Sequence, residues 1–243
     1  MSEKKIVLLS GGTGKFAKHL IEQLDHDKYD IYAPPSQEMD ITNRVQVKDF
    51  VEHLKPDYFI HCAALTRPMA IHNTLPDKSI MVNIIGTANV VLECMRYNIK
   101  LIYISTDHVY EGTRGNYKEK DPVLPINNYA WSKLGGECSV VLYKNSCILR
   151  MAMADNPFPH KLALTDSYKS LIFSNEAAKM VEKFLDKTGI YNIGGKRQTI
   201  YDFVKKNHPE IGKISLKQVK DVNMPKDVSM NLSKMKGVIL NEN

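Results

Sequence analysis

Cysteine is scarce in this 243-residue chain, and the four present, Cys62, Cys94, Cys138 and Cys147, stand far apart without a Cys-x-x-Cys pair. That spacing excludes a zinc ribbon and a dense disulfide framework. With each thiol in an apolar stretch, it points to a reducing compartment, the cytoplasm. Glycine (13) and proline (11) are too few for a fibrous or disordered chain. No apolar run reaches the roughly 18 residues of a membrane span. Met1 to Lys5 leads directly into Ile6-Val7-Leu8-Leu9, too short a run for a secretory signal. Charge of one sign is also lacking: 33 Lys and Arg stand against 27 Asp and Glu, a net +6. Without a basic-aromatic stripe, that excess gives no ground for a nucleic-acid partner, and it suits an anionic small molecule. What remains, 43% hydrophobic and 25% charged residues, is the composition of one large soluble domain, or a domain with a small second lobe.

Short β-branched runs alternate with helical periodicity. Lys5 to Leu9 reads as a strand, followed by Phe16, Ala17, Leu20, Ile21 and Leu24 at helical spacing. Tyr29 to Ala33 reads as a strand stopped by Pro34-Pro35, Val45 to Leu54 as a helix, and Tyr58 to Ala63 as a strand. Asp77 to Tyr97 is helical, Leu101 to Ser105 a strand, Tyr129 to Leu142 a helix and Ser146 to Met151 a strand. This order predicts an α/β fold, a Rossmann-like doubly wound parallel sheet over residues 1–150. Past Met151 the pattern loosens into a helix near Asn175 to Asp186, a strand at Tyr191 to Ile193 and a helix capped by Thr199. Residues 151–243 are expected to form a small C-terminal substrate lobe packed against the first unit.

The first β-α turn reads Ser10-Gly11-Gly12-Thr13-Gly14-Lys15-Phe16-Ala17. Gly11 permits a tight turn, Gly14 lets backbone approach a pyrophosphate, and Ala17 allows close helix packing, leaving a helix N-terminus to face phosphates. The second predicted strand ends Ala33-Pro34-Pro35-Ser36, without the carboxylate that would take the 2′-hydroxyl of NAD. NADP(H) is therefore favoured over NAD(H), with Lys15 or Ser36 as candidates for the 2′-phosphate. Ser105-Thr106-Asp107 ends a strand, and Tyr129 and Lys133 stand four apart on one helical face. An ammonium there is expected to pull the phenol below its ordinary pKa of about 10, making Tyr129 an acid near neutrality. Thr106 would hydrogen-bond the same carbonyl oxygen.

These motifs resemble the extended short-chain dehydrogenase/reductases, and within them the dTDP-4-dehydrorhamnose reductase-like group. The marks are Gly11-x-x-Gly14-x-x-Ala17, Asp40-Ile41-Thr42, His61-Cys62-Ala63-Ala64-Leu65-Thr66 and Val82-Asn83-x-x-Gly86-Thr87. They continue in Ser105 to Gly112, Tyr129-x-x-x-Lys133-x-x-Gly136-Glu137, the strand ending at Arg150, and Tyr191 to Gly195. The resemblance implies reduction of the C4 ketone of a UDP- or dTDP-linked 4-keto-6-deoxy sugar, with Thr106, Tyr129 and Lys133 in catalytic roles. It also implies cofactor contacts from Gly11, Gly14, Lys15, Phe16, Asp40, Ile41, Cys62, Ala63, Ala64, Thr66, Ser105, Tyr129 and Lys133, and often a homodimer.

Arg67-Pro68, and Arg150-Met151 followed by Asn156-Pro157 and Lys161, look more like the branch of bifunctional 3,5-epimerase/4-reductases that make UDP-L-rhamnose. In that branch a cysteine and a lysine act as extra acid and base; their counterparts here are His108 and Lys161. The stretch between Met151 and Phe173 is shorter than in typical members. The late tract Pro225 to Asn231 follows Met224 where the group has an arginine, with Lys226 as a substitute charge. The regulatory partner of methionine adenosyltransferase also resembles this group, so a non-catalytic NADP-binding subunit is the alternative expectation.

Overall fold

The computed structural model describes residues 3–240; residues 1, 2 and 241–243, which include part of the N-terminal and tail readings above, lie outside the described residues. The central element is a six-stranded sheet, every pairing parallel, built in chain order from β1 (Lys5–Ser10), β2 (Tyr29–Tyr32), β3 (Tyr58–His61), β4 (Lys100–Thr106) and β5 (Ser146–Met151). Its last strand, Gly189–Ile193, pairs with β5 in parallel. The helices between them are α1 (Lys15–Gln23), α2 (Arg44–Leu54), α3 (Pro76–Tyr97) and α4 (Asn128–Val141). All six residues of β5 are buried, as are all seven of β4. Both faces of these strands are covered, which is why they read as continuous apolar runs rather than alternating ones.

Across the sheet, β2 lies beside β1, then β3, β4 and β5 follow. The chain therefore reverses its winding between β1 and β3, and a crevice opens above their carboxyl ends. β3 stops at His61 rather than at the expected Ala63. The Asn83 side chain accepts from Leu65 N at 2.7 Å and donates to Leu65 O at 2.9 Å, drawing this segment away from the ladder. Asn83 sits in a widened π-helical stretch of α3, Ile80–Gly86. By length and composition, with a mean hydropathy of 1.2, α3 could cross a membrane, but half of its most apolar window is buried within the fold. It is placed as a core helix.

Beyond β5 come short strands: β6 (Met153–Ala154), β7 (Leu162–Leu164), β8 (Tyr168–Lys169) and β9 (Ile172–Phe173). Helix α5 (Ser174–Val181) leads to the sixth sheet strand, β10 (Gly189–Ile193), then β11 (Gln198–Thr199), α6 (Ile200–Val204), β12 (Gly212–Ile214) and α7 (Ser233–Leu240). Thr199 caps α6 as expected, its hydroxyl accepting from Asp202 N. The chain crosses residue 150 in both directions. β10 returns to the main sheet, while Val109, Tyr110 and Tyr117 pack with Ala163, Phe203, Val228 and Met230 in the core of the C-terminal lobe.

Candidate active site

A cleft of about 520 Å³ lies at the carboxyl ends of β1, β3, β4 and β5. Gly11 has a left-handed backbone, φ 72°, and a Cβ there would stand 2.8 Å from Ala63 Cα; a Cβ on Gly12 would stand 2.1 Å from the Ala33 carbonyl oxygen. The turn can therefore be built only with glycine at these two places. Gly14 is the N-cap of α1 in extended backbone, and no side chain caps the helix among the described residues. Gly14, Lys15, Phe16 and Ala17 line the cleft, so unpaired N–H groups of the first helical turn lie at its wall. Cys62, Ala64 and Thr66 line the opposite side. A bare glycine turn, a helix start and small side chains opposite fit a dinucleotide laid across the strand ends.

Thr106 and Tyr129 converge on the cleft from β4 and α4; the Thr106 hydroxyl donates to Asp107 Oδ1 and accepts from His108 N, both at 3.2 Å. Asn127 caps α4 by accepting from Ala130 N, which fixes the first turn that carries Tyr129. Lys133 lines the same cleft beside Ser105. Its Nζ donates to Ile104 O at 2.9 Å and lies 4.1 Å from the centre of the Tyr103 ring. This corrects the electrostatic expectation. The ammonium is spent on a carbonyl and an aromatic face, so burial dominates and pushes the Tyr129 phenol up to about 12. Burial likewise lowers Lys133 to about 8, against the opposing pull of Glu137. Tyr129 is accordingly a neutral hydroxyl throughout the physiological range, the form that can donate a proton.

Several expected residues lie elsewhere. Asp40 accepts from Thr42 N and Oγ1, both at 2.9 Å, closing the turn before α2, and does not line the cleft. Ile41 is buried against Gly86, and Ala63 stands behind Gly11 as packing. Lys15 stays on the cleft wall, where it meets Asp155 at 3.1 Å, and Arg67 meets the same carboxylate oxygen at 2.8 Å. Lys161 is exposed before β7, where pairing with β12 holds the segment at the outside of the lobe. The lysine that lines the cleft beside His108 is Lys169, on β8. Its Nζ lies 3.0 Å from Asp107 Oδ2 and 2.9 Å from His108 Nε2. Burial, then Lys169, lowers His108 to about 4, with Asp107 opposing. Sequence reasoning missed Lys169 and Asp155. The one available signal was a lone charge in the run Tyr168 to Phe173.

Comparison with known proteins agrees with this geometry. Methionine adenosyltransferase 2 subunit beta of Pongo abelii is 28% identical over 185 residues, 72% of this chain and 55% of that protein. The dTDP-4-dehydrorhamnose reductase of Aggregatibacter actinomycetemcomitans is 31% identical over 147 residues, 59% of this chain and 50% of that protein. The chain thus spans about half the length of the curated relatives it matches. The crystal structure of the dTDP-4-dehydrorhamnose reductase of Bacillus anthracis in complex with NADP superposes with a TM-score of 0.86 at 25% identity, over 99% of this chain and 93% of that one. Residues 4–155 match the RmlD substrate binding domain, and with more than half of its length so matched the chain belongs to the RmlD substrate binding domain family.

Proposed function

We propose that the chain is an NADP(H)-dependent reductase of the C4 ketone of a nucleotide-linked 4-keto-6-deoxy sugar, UDP- or dTDP-linked. The observation that carries this reading is the meeting of Thr106, Tyr129 and Lys133 with the glycine turn around one cleft. Nicotinamide dinucleotide, when bound, supplies the hydride. Tyr129, neutral and buried, gives its hydroxyl proton to the ketone oxygen as charge develops there. Thr106 donates to the same oxygen and orients it. Lys133 holds the cofactor ribose through its ammonium. Four unpaired cysteines support a reducing setting, the cytoplasm.

Epimerisation at C3 and C5 is the finer reading. Lys161 is outside the cleft, and Lys169 stands in it beside His108. Incubation with NADPH and UDP- or dTDP-4-keto-6-deoxyglucose, with and without a separate 3,5-epimerase, separates the alternatives. A reduced sugar formed only with the added epimerase is the expected result for a 4-reductase. An L-rhamnosyl nucleotide formed without it establishes the bifunctional activity, a reduced but unepimerised sugar marks a 4-reductase alone, and no NADPH oxidation in either arm rejects the reductase. The likeness to methionine adenosyltransferase 2 subunit beta favours a second reading, a non-catalytic NADP-binding regulatory subunit. That reading requires no turnover together with co-elution of a methionine adenosyltransferase catalytic subunit.

We also propose a homodimer through α3 and α4. Met81, Ile85, Leu92 and Met95 on α3, and Trp131 and Val141 on α4, are exposed. The charged residues within these stretches, Glu93, Lys133 and Glu137, are buried. A helix of 22 residues is about 33 Å long. Helix α4, 14 residues, is about 21 Å long, and the two side by side at about 10 Å present about 540 Å², about two-thirds of the roughly 800 Å² each partner buries in a stable pair. An isologous contact would set this face against its own copy. Leu92→Lys is expected to convert a dimer to a monomer in sedimentation; an unchanged dimer mass would exclude this face.

A further inference from the structure

Lys133 is buried, and a buried cation is costly unless it is paired. Glu137, one turn further along α4, is taken by Arg150 at 2.8 Å. The Cys62 thiol, pushed by burial up to about 12, is neutral. Asp107, on the same cleft wall, is paired with Lys169 at 3.0 Å. What the ammonium does meet is Ile104 O, at 2.9 Å, and the face of the Tyr103 ring, 4.1 Å from its centre. The Tyr103 hydroxyl donates to Lys133 O at 3.2 Å, so one fully buried side chain grips Lys133 at both ends. Tyr103 is steadied in turn by His61, its register partner on β3, with ring centroids 5.5 Å apart. Thr87 Oγ1 donates to Asn83 O at 2.8 Å and so takes the Nε2 proton of His61 at 3.0 Å; Nδ1 accepts from Ser10 Oγ at 2.7 Å. Burial, then the Lys133 charge, lowers His61 to about 3, so the imidazole is neutral and does not compete as a cation for the ring.

We propose that Tyr103 is a positioning residue for the reduction, its ring face carrying the Lys133 ammonium as a cation–π partner in the place where a buried cation usually has a carboxylate. A carboxylate there would hold the amine by short charge-assisted hydrogen bonds and spend its donors. The ring stabilises the cation through its negative face instead, and does so most where water is excluded. An ammonium has three donors. Ile104 O takes one of them, and Lys133 lines the cleft, so donors remain for the hydroxyls of the cofactor ribose. The inference deepens the proposed reduction and rests on it only for the task that Lys133 performs. Among the other titratable groups of the cleft, Tyr129 at about 12 is a neutral hydroxyl, and Lys169 is shared between Asp107 and His108. Lys15 and Arg67 are held by Asp155. Tyr103 is thus the group that supports the charge of Lys133 by direct contact, with Glu137 acting on it as a neighbouring charge.

NMR of the lysine-labelled full chain reads the contact without turnover. The ε-methylene protons of Lys133, assigned by their loss in Lys133→Met, are expected upfield of those of the other lysines because they lie over a ring face. Tyr103→Phe keeps that shift and Tyr103→Leu abolishes it. A wild-type Lys133 resonance at the ordinary lysine position would overturn the proposal. The pH profile reads the consequence. In kcat/KM for NADPH, which reports the free enzyme, the alkaline limb near 8 should stay in place in Tyr103→Phe. In Tyr103→Leu it should fall by about one pH unit, an added loss of about tenfold above the limb and none well below it. Leucine also leaves a cavity, so Tyr103→trifluorophenylalanine is the isosteric arm: fluorine weakens the negative face of the ring and keeps its shape. It should lower the limb as leucine does, and a limb unmoved by fluorination would reduce Tyr103 to packing. A wild type that oxidises no NADPH rejects the proposed reductase; titration of the same ε-methylene resonance in these variants still decides the role of Tyr103.

Discussion

Tyr129→Phe is expected to lower kcat/KM for NADPH-dependent ketone reduction by about 10²- to 10⁴-fold and to leave NADPH affinity largely unchanged. The substitution keeps the ring that packs beside His72 and His108, with centroids at 5.2 and 6.2 Å, and removes only the hydroxyl. The lost factor is that of a general acid, because Tyr129 at about 12 is protonated at every pH of interest. The pH profile carries the same argument further. Lys133 titrates at about 8: its ammonium is present below that pH and lost above it. kcat/KM should therefore fall as pH rises through about 8, and this limb belongs to Lys133 because Tyr129 loses its proton only about four units higher. Stability responds with the opposite sign. Between about 8 and the ordinary lysine value of 10.5, the unfolded chain binds more protons at residue 133 than the folded one, so this group's contribution to stability rises with pH across that window. Stopped-flow reduction and fluorescence titration of NADPH check the first result. Undiminished turnover in Tyr129→Phe would reject the assignment.

The sheet was legible because its strands are buried on both faces: Ser146 to Met151, all apolar or small except Arg150, agrees with β5 at both ends. The cleft was legible where motif and strand end coincide, as at Gly11, Thr106 and Tyr129. It was illegible where the lobe folds back. Lys169 belongs to a two-residue strand that pairs antiparallel with Gln198 and Thr199, and only that long-range pairing brings its amine to Asp107. Periodicity over a short window carries no such information. The spacing of Tyr129 and Lys133 was likewise read correctly as one helical face, but spacing does not say which partner a flexible amine takes. The carbonyl of Ile104 and the ring of Tyr103, contributed by β4, decided that. Asp40 shows the converse: a motif position whose carboxylate is spent locally on Thr42.

Arg150→Met is expected to destabilise the protein by about 3–5 kcal/mol, because it strands a carboxylate in the interior. Arg150 and Glu137 are 3% and 2% exposed. Arg150 Nη2 meets Glu137 Oε2 at 2.8 Å, and its Nε reaches Oε1 and Oε2 at 3.1 and 3.2 Å. Arg150 Nη1 also donates to Tyr110 at 3.0 Å, and Tyr110 donates to Asn192 on β10 at 2.7 Å. The pair thus ties α4 to β5 and to the C-terminal lobe. In Arg150→Met, Glu137 retains only the Ser105 hydroxyl at 2.5 Å. At about 2–4 °C per kcal/mol for a chain of this size, the midpoint of thermal unfolding should fall by about 6–20 °C. Glu137→Leu combined with Arg150→Met, which empties the site of both charges, should recover most of the loss, since an apolar replacement of a buried pair is often neutral. A single variant as stable as the wild type would show that the pair carries little. The same carboxylate connects stability to chemistry. Glu137 is the leading charge that favours the Lys133 ammonium against burial, so Glu137→Gln should move the alkaline limb of kcat/KM below its wild-type position near 8. A limb that stayed in place would separate the two roles, leaving Glu137 as an anchor for Arg150 alone.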